Sequence, residues 1–265
     1  MTDDAPEPAV APETTPETAP ASTLKSRWLT GRSMLALGVS VVALGFAAAP
    51  YVVPGLFGAQ VRSYLMTHPE VLFEAQTAYQ VKQQNDQIAQ VNAAAAAHPA
   101  ALSAAPGEPV FGPADAKVTV VQFFDYQCPY CKAMAPDFLR LIQANPDVRF
   151  IFKEWPILDH DGQITSRYAA QAALLAQAQG KYLAVHQALM AERALTPPAV
   201  DKVLAANGVT GPVASPDTAR IVTNVRIDAT GLGIQGTPTL FINGRMSPTH
   251  DPAQLAQIIN AEKAK

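Results

Sequence analysis

The chain has 265 residues, in which 19 lysines and arginines stand against 22 aspartates and glutamates, giving a formal net charge of −3. This charge balance offers no basic surface for a polyanion, so nucleic acid is excluded as an expected partner. A structural zinc site is excluded as well, because it needs four ligands. The chain has only 2 cysteines, and none of its 5 histidines stands at a spacing that would complete such a site.

Residues 1–32 form the first predicted segment. Proline, alanine, threonine and glutamate dominate residues 1–23, which have no apolar periodicity. A segment of this composition buries too little apolar surface to order itself. We therefore expect a disordered tail, and the segment that follows places it in the cytoplasm.

Residues 33–58 are uncharged, and their apolar part has about the length needed to cross a bilayer. Basic residues precede them, the last being Arg32, and this places the N-terminus in the cytoplasm. We predict an uncleaved transmembrane signal-anchor. The alternative is a cleaved signal peptide, because residues 47–49 resemble a cleavage site, although Pro50 should block cleavage. Both interpretations send the remainder of the chain out of the cytoplasm, where oxidising conditions suit a cysteine pair.

Residues 59–105 are predicted to form a helical stalk. Leu65, Leu72 and Tyr79 recur every seven residues, but His68 and Lys82 interrupt the offset apolar positions of this heptad. The pattern indicates either a segment for self-association or a single solvated helix that spaces the next domain from the membrane. Residues 99–109, rich in alanine and proline, are expected to be a linker.

Residues 106–265 are long enough for one well-buried α/β domain. Residues 116–124 are a nearly continuous apolar run, typical of a strand that is buried on both faces. The pattern then predicts helices and strands in alternation: helix 129–143, strand 148–153, helical residues 164–194 with a break near Gly180, helices 197–206 and 217–232, and strand 238–242. A hairpin turn at residues 243–244 leads to a fourth strand near Arg245, and Asp251 is expected to cap a last helix.

Both cysteines, Cys128 and Cys131, lie two residues apart between the first strand and the helix that follows it. This context directs the helix dipole and the first amide groups at the Cys128 sulfur and favours its thiolate. A thiolate attacks disulfides, and a thiol one turn later resolves the mixed disulfide. The pattern therefore indicates a redox pair, with an inert structural disulfide as the alternative.

A second motif, residues 236–244, carries Pro238 at the entrance of a strand. Proline is rare there without a special reason, and a cis peptide bond is one such reason. Four stretches together, FFDYQCPYCK, FIFKEWPIL, GKYLAVHQALM and GTPTLFING, resemble the DsbA-like thiol-disulfide oxidoreductases of the thioredoxin superfamily. The stalk residues VRSYLMTHPEVLFEA resemble the ScsC-like branch, part of which oligomerises through its stalk. The resemblance implies a thioredoxin-like fold with a helical insertion at about residues 160–232.

The resemblance also implies roles for individual residues. Cys128 would be the nucleophile and Cys131 the resolving thiol, while Pro129 and Tyr130 between them would tune the thiolate. The strongest oxidants of the family carry histidine where Tyr130 stands, and a neutral hydroxyl stabilises a thiolate less. We therefore expect a lowered Cys128 pKa and a protein that leans toward isomerisation or reduction, with disulfide-donating oxidase as the alternative.

Thr237 and Pro238 would bind an extended substrate segment, with Pro238 cis. A threonine before this proline is commoner in isomerase-like members of the family, which again favours isomerisation or reduction. Where many relatives bury an acid six residues before the first cysteine, this chain has Gln122. Asp125 and Glu154 are the nearest acids, but Glu154 and Lys153 are equally typical of a solvated strand end.

The remaining conspicuous residues are expected to be structural. His186 has apolar helical neighbours and is predicted to pack in the core, and His160 is most simply a loop residue. No cofactor is expected and no dedicated metal site is predicted. One alternative remains, in which Cys128 and Cys131 bind Cu(I) as soft ligands in a copper-tolerance protein.

The expected partners follow from the compartment and the chemistry. They are unfolded or misoxidised secreted proteins, a membrane thiol reductase or oxidase that exchanges electrons, the bacterial inner membrane, and other copies of the chain through the stalk. The expected location is the inner membrane, crossed once, with the catalytic domain in the periplasm.

Overall fold

A computed structural model of the chain describes residues 38–45, 47, 54–160 and 162–265. The predicted tail, residues 1–32, and part of the predicted anchor, residues 33–37, 46 and 48–53, lie outside the described residues. Residues 38–45 and 47 are helical. Within the described ranges, no helix combines the length and the apolar character that crossing a membrane requires. The chain divides into two compact units, residues 1–73 and 74–265.

The stalk region contains two helices, α1 (Pro54–Thr67) and α2 (Glu70–Ala97). They are separated at His68 and Pro69, because proline lacks an amide hydrogen and disfavours a helical conformation in the residue before it. The predicted helical stalk is therefore interrupted at these two residues. The unit boundary falls near the start of α2, between Phe73 and Glu74.

The second unit contains a sheet and six further helices in its described residues. The strands are β1 (Val110–Phe111), β2 (Thr119–Phe124), β3 (Arg149–Glu154), β4 (Thr239–Ile242) and β5 (Arg245–Met246). The helices are α3 (Pro129–Ala144), α4 (Thr165–Ala178), α5 (Tyr182–Ala191), α6 (Pro197–Ala206), α7 (Pro216–Leu232) and α8 (Pro252–Lys263), with a short 3₁₀ helix at Pro99–Leu102.

The sheet has the strand order β1-β3-β2-β4-β5. Strands β2 and β3 are parallel, while β1, β4 and β5 pair antiparallel with their neighbours. The sequence predicted four strands, and the fifth, β1, has only two residues, too few for a recognisable alternation. The predicted order of the remaining strands and helices is confirmed, including the break near Gly180 and the N-cap at Asp251, which accepts from Gln254 N at 2.9 Å.

Both faces of the sheet are covered, which explains the continuous apolar character of β2. Val120 and Phe124 face a large core formed with α3, α4, α5, α6 and α8. Val121 and Phe123 face a second core that includes residues of α7 and of the end of α2. Alternate residues of a strand point to opposite faces, so every side chain of β2 after Thr119 is buried.

The end of α2 and the residues after it belong to this second core. Val91, Ala95 and Leu102 are buried there, and Asn92 Oδ1 accepts a hydrogen bond of 2.7 Å from Met246 N. The expected linker at residues 99–109 therefore differs from the structure, since part of it is packed against the sheet. The alanine-rich end of α2 carries no strong apolar stripe that would have indicated this contact.

Candidate active site

Cys128 lies at the junction of β2 and α3, where it is the N-cap of α3 with Pro129 in the first turn. Its Sγ accepts a hydrogen bond from Cys131 N at 3.4 Å, and its own N–H donates to Asp125 O at 3.1 Å. An N-cap side chain faces the unpaired amides and the positive end of the helix dipole. The predicted strand-to-helix position of the cysteine pair is thus present.

Both cysteines are free thiols, and both are more buried than expected for an exposed nucleophile. Cys128 is 3% exposed and Cys131 is 0% exposed. A hydrogen bond from the Cys131 side chain is the main cause that lowers the pKa of Cys128, to about 6. Thr237 and backbone amides lower it further, while burial opposes the shift. The same hydrogen bond, together with burial, raises the pKa of Cys131. Cys128 is therefore the cysteine that ionises, and Cys131 keeps its proton.

The peptide bond between Thr237 and Pro238 is cis, as predicted. Thr237 O lies 3.2 Å from Cys128 Sγ and accepts a hydrogen bond from it when the thiol is protonated. Thr239, directly after Pro238, begins β4 and pairs with Phe123 of β2. The antiparallel pairing of β2 and β4 brings two motifs about a hundred residues apart in sequence to the same sulfur.

A groove of about 450 Å³ opens beside the two motifs. Tyr130 lies on its wall and is 75% exposed, so its hydroxyl is directed away from the protein interior. The backbone of Tyr130, by contrast, contributes to lowering the Cys128 pKa. The groove is lined by Tyr130, Ala133, Met134, Asp137, Thr237, Pro238, His250 and Pro252.

His250 was not anticipated as part of this site. It precedes the N-cap Asp251 by one residue, and the sequence predicted only the start of a helix there. Asp137, on α3, stands one helical turn after Ala133 on the same wall of the groove. Helical periodicity from Tyr130 onward could have placed Asp137 on the same wall, because the two residues are two helical turns apart.

The Asp125 carboxylate holds together the loops behind Cys128. It accepts hydrogen bonds from Gln127 N at 2.7 Å, Ile157 N at 2.8 Å, Leu158 N at 2.9 Å and Ser166 Oγ at 2.7 Å. These partners satisfy both oxygens of a buried carboxylate, so Asp125 fixes the position of the loop that precedes Cys128. Its hydrogen bonding indicates a structural role.

Gln122 is buried on the α3 side of the sheet, with Nε2 3.8 Å from Met134 Sδ. Its Oε1 has no hydrogen-bond partner among the described residues. The side chain cannot titrate, and a buried amide oxygen without a partner is unusual in a folded protein. This position therefore differs in chemistry from the buried acid of many relatives.

Glu154 is buried in the larger core and is not a solvated strand end. Its Oε1 accepts hydrogen bonds from Tyr182 OH at 2.8 Å and Tyr126 OH at 3.1 Å. Burial raises its pKa well above the ordinary value, and burial lowers the pKa of nearby His186 to about 3. His186 Nδ1 lies 2.9 Å from Tyr126 OH. The core position predicted for His186 is confirmed, and burial favours the uncharged forms of both Glu154 and His186.

Lys153 is buried on the opposite face, so the solvated strand end that the sequence left open is excluded for both residues. Its Nζ forms ion pairs with Glu108 at 2.9 Å and Asp228 at 3.2 Å, and donates to Ser103 O at 2.9 Å. Three acceptors match the three hydrogens of an ammonium group, which makes its complete burial tolerable. The cluster ties the residues after α2 to β3 and α7.

His160 is exposed in a loop, as expected. In the described part of the chain, no three side chains of histidine, cysteine, aspartate or glutamate are grouped so that they could hold a metal ion. Metal binding stays an alternative assignment for the cysteine pair, which supplies two of the ligands that a metal ion would need.

Two family models match the chain. The model described as "Thioredoxin" matches residues 104–261, and the model described as "Copper resistance protein ScsC N-terminal domain" matches residues 56–85. The first covers the sheet, the cysteine pair and the cis-proline loop, and the second covers most of the stalk.

Solved structures resemble the chain over most of its length. A linker-deletion mutant of Proteus mirabilis ScsC is 30% identical, with a TM-score of 0.61 over 78% of this chain and 93% of that chain. Salmonella enterica Typhimurium BcfH is 32% identical, with a TM-score of 0.61 over 82% of this chain and 98% of that chain.

Curated relatives match over shorter stretches. Na(+)/H(+) antiporter NhaA 3 of Salinispora tropica is 31% identical over 152 residues, which is 51% of this chain. Disulfide bond formation protein D of Bacillus subtilis is 48% identical over 50 residues, which is 17% of this chain. The chain spans 22% of the length of each of these two proteins.

Proposed function

Because this chain belongs to the thioredoxin family, among thiol-disulfide oxidoreductases of the ScsC and DsbA type, we propose that Cys128 and Cys131 exchange disulfides with proteins outside the cytoplasm. We propose further that the exchange favours isomerisation or reduction. The observation that carries the proposal is the opposite shift of the two thiol pKa values: that of Cys128 is lowered to about 6, and that of Cys131 is raised. At neutral pH one sulfur is then a nucleophile and the other keeps its proton.

The reaction begins when Cys128 Sγ attacks one sulfur of a substrate disulfide. The substrate S–S bond breaks, a mixed disulfide forms, and the second substrate sulfur leaves as a thiolate that takes up a proton. In reduction, Cys131 loses its proton and attacks Cys128 Sγ, which releases the substrate dithiol and leaves the pair oxidised by two electrons. In isomerisation, another substrate thiol resolves the mixed disulfide, and Cys128 returns as a thiolate.

The preference for isomerisation or reduction rests on how the thiolate is stabilised. Its stabilisation comes from Cys131, Thr237 and backbone amides, and no charged side chain contributes. The exposed hydroxyl of Tyr130 adds nothing comparable to the charge of an imidazolium. A less stabilised thiolate makes the pair a weaker oxidant, which suits an isomerase or reductase better than a strong oxidase.

The decisive experiment is to trap the redox state of the pair in living cells with acid and to read it by thiol alkylation. A mostly reduced pair supports isomerisation or reduction, because a reductant must then maintain it in an oxidising compartment. A mostly oxidised pair supports the alternative, a disulfide-donating oxidase. The Cys131→Ser variant serves as the control, since it should accumulate mixed disulfides with client proteins in either case, and Cys128→Ser should accumulate none.

We also propose that residues 33–58 anchor the chain in the bacterial inner membrane with the catalytic unit in the periplasm. The support is the length and apolar character of that sequence, the basic residues before it, and a cysteine pair suited to an oxidising compartment. Fusions to a reporter enzyme that is active only in the periplasm test the orientation. Membrane extraction with carbonate tests the anchor, because a cleaved signal peptide would release the catalytic unit into the soluble fraction.

Self-association through the stalk is a further proposal. It is supported by exposed apolar side chains at heptad spacing, with Leu72 54% and Tyr79 62% exposed. Light scattering on the full-length protein should report an oligomer that Leu72→Glu dissociates. The control Gln84→Glu adds the same charge to α2 at an exposed position outside the stripe. An oligomer unaffected by Leu72→Glu, or a monomer in both proteins, would contradict the proposal.

A second candidate function is Cu(I) binding by the same two sulfurs, and the match of residues 56–85 to a copper resistance protein domain favours it. Two thiolates suit a soft monovalent ion, but Cys131 must lose its proton and its raised pKa opposes that. The two functions make different demands on the cysteines. Cu(I) affinity should fall equally in Cys128→Ser and Cys131→Ser, whereas disulfide exchange should yield a trapped intermediate only in Cys131→Ser.

A further inference from the structure

A cavity of about 450 Å³ lies between α4 and α7, away from the cysteine pair. Arg167 and Gln171, one helical turn apart, line it from α4, and Thr223 and Arg226 line it from α7. Its walls are completed by apolar residues, among them Pro156, which follows β3, and Val222. No role in disulfide exchange accounts for this arrangement.

The charges of the cavity are unbalanced. Arg167 and Arg226 each carry a positive charge, and no acidic residue is among the residues that line the cavity. In the described part of the chain neither arginine forms an ion pair with a carboxylate, whereas Arg220, also on α7, pairs with Asp217. Two guanidinium groups on the walls of one cavity, with no acid among its lining residues, favour an anion inside it.

Gln171 gives a second and independent indication. It is 6% exposed, yet its side-chain amide forms no hydrogen bond with any other described residue. The amide therefore has donors and an acceptor that no protein group in the described residues occupies. Since this amide lines the cavity, a group inside the cavity can satisfy it. Its NH₂ can donate to an oxyanion, and its carbonyl oxygen can accept from a neighbouring hydroxyl or amide of the same ligand.

We propose that this cavity binds the oxyanionic group, carboxylate or phosphate, of a small molecule. Guanidinium groups present paired donors that match the oxygens of both anions, and the Gln171 amide supplies a further donor at the base. The apolar walls formed by Pro156, Ala219 and Val222 favour a ligand with a hydrocarbon part next to its anionic group. The site is separate from the cysteine pair and does not depend on the proposed redox function.

The test is equilibrium dialysis of the full-length protein against inorganic phosphate and, separately, against succinate, at constant ionic strength maintained with sodium chloride. We expect one saturable site per chain with at least one of the two anions. Arg226→Gln should weaken binding about tenfold or more, because a charge-assisted hydrogen bond is lost. The matched control is Arg220→Gln, which removes the same charge from the same helix outside the cavity and should change binding less than about twofold.

Two further variants keep the test decisive. Gln171→Met preserves side-chain size but removes the amide, and it should also weaken binding, which a purely electrostatic attraction would not do. If Arg226→Gln fails to fold, Arg167→Gln in the exposed first turn of α4 replaces it. Preference for phosphate or for succinate assigns the class of anion. The proposal is overturned if neither anion shows saturable binding, or if Arg220→Gln weakens binding as much as the cavity variants do.

Discussion

Lys153 and Glu154 are consecutive residues of β3, yet they lie in separate buried polar clusters on opposite faces of the sheet. The Lys153 ammonium is bound by the Glu108 and Asp228 carboxylates. Glu154 accepts hydrogen bonds from two tyrosines. Since successive side chains of a strand point to opposite faces, one residue step separates a cluster of ion pairs from a cluster of hydroxyl hydrogen bonds. The two clusters should therefore respond differently to pH and to substitution.

Glu154→Gln should make the stability of the protein less sensitive to pH. Burial raises the folded-state pKa of Glu154 well above its ordinary value. Its contribution to stability is therefore fully present below the unfolded pKa, near 4.3, and is lost as pH rises toward the folded pKa, by about 1.4 kcal/mol per pH unit. Glutamine keeps an oxygen that accepts from the tyrosines but never ionises. Urea unfolding from pH 5 to pH 8 should show the variant gaining on the wild type as pH rises.

The control for this series is Glu74→Gln, at an exposed position of α2, whose stability should follow the wild type at every pH. A second variant, Glu154→Leu, removes the accepting oxygen and should be about 2 kcal/mol less stable than Glu154→Gln at every pH, because neither residue titrates and the buried Tyr182 hydroxyl loses its acceptor. If the free energies of unfolding of wild type and Glu154→Gln run parallel from pH 5 to pH 8, Glu154 is ionised in the folded protein and our assignment is wrong.

Glu108→Gln should destabilise the protein by about 3 kcal/mol, because it leaves a fully buried ammonium with one anionic partner in place of two. The matched control is Asp147→Asn, which removes the carboxylate from a largely exposed ion pair with Lys263. Such exposed pairs contribute less than about 1 kcal/mol. Thermal and urea unfolding of both variants provide the comparison. Equal losses in the two variants would show that the Lys153 cluster does not behave as a buried ion pair.

The sequence was sufficient to predict the parts of the site that depend on local patterns. Strand β2, the N-cap cysteine and the turn at Asn243 and Gly244 follow from apolar runs, helix capping and turn chemistry. The cis bond before Pro238 was predicted because proline is rare at a strand entrance. Each of these features is determined by residues within a few positions of one another.

The buried charges could not be predicted in the same way. A lysine and a glutamate at the end of a strand are typical of solvent exposure, and only distant partners reverse that. Lys153 meets Glu108 and Asp228, 45 and 75 residues away, and Glu154 meets its tyrosines at a separation of 28 residues. The packing of Val91 was missed for a related reason, since an alanine-rich helix has no marked apolar face.

Gly112→Ala should be among the most destabilising substitutions outside the core. Gly112 has φ +90°, and a Cβ added there would lie 1.9 Å from Val148 O, a backbone atom that cannot move aside without distorting the start of β3. We expect a loss of more than about 3 kcal/mol. Gly180→Ala is the control, because Gly180 also has positive φ but would place its Cβ in open space, so about 1 kcal/mol should be lost. Similar losses in both variants would mean that the positive φ alone, and not the contact with Val148 O, determines the loss of stability.

Alkylation of Cys128 by iodoacetamide should reach half its maximal rate near pH 6, and Cys131 should stay unmodified in the folded protein. The pKa of Cys128 is lower in the folded protein than in the unfolded chain, so its thiolate stabilises the reduced folded protein. This stabilisation is complete at pH values above the ordinary thiol pKa and is lost as the pH falls through about 6. The melting temperature of the reduced form, relative to the oxidised form, should therefore decrease from pH 8 to pH 6. Alkylation with an apparent pKa near 8.5 would contradict this.

Replacement of Cys131 should show which hydrogen bond keeps Cys128 ionised. The side chain of Cys131 is the largest cause of the lowered Cys128 pKa, ahead of Thr237 and the backbone amides. Cys131→Ala removes that donor, so the pH of half-maximal alkylation should rise, whereas Cys131→Ser retains a donor and should raise it less. The N-cap geometry, including the amide of residue 131, is kept in both variants. If the pH dependence of alkylation is the same in wild type and Cys131→Ala, the helix N-terminus alone stabilises the Cys128 thiolate. The different roles of the two cysteines would then depend on their burial and not on their mutual hydrogen bond.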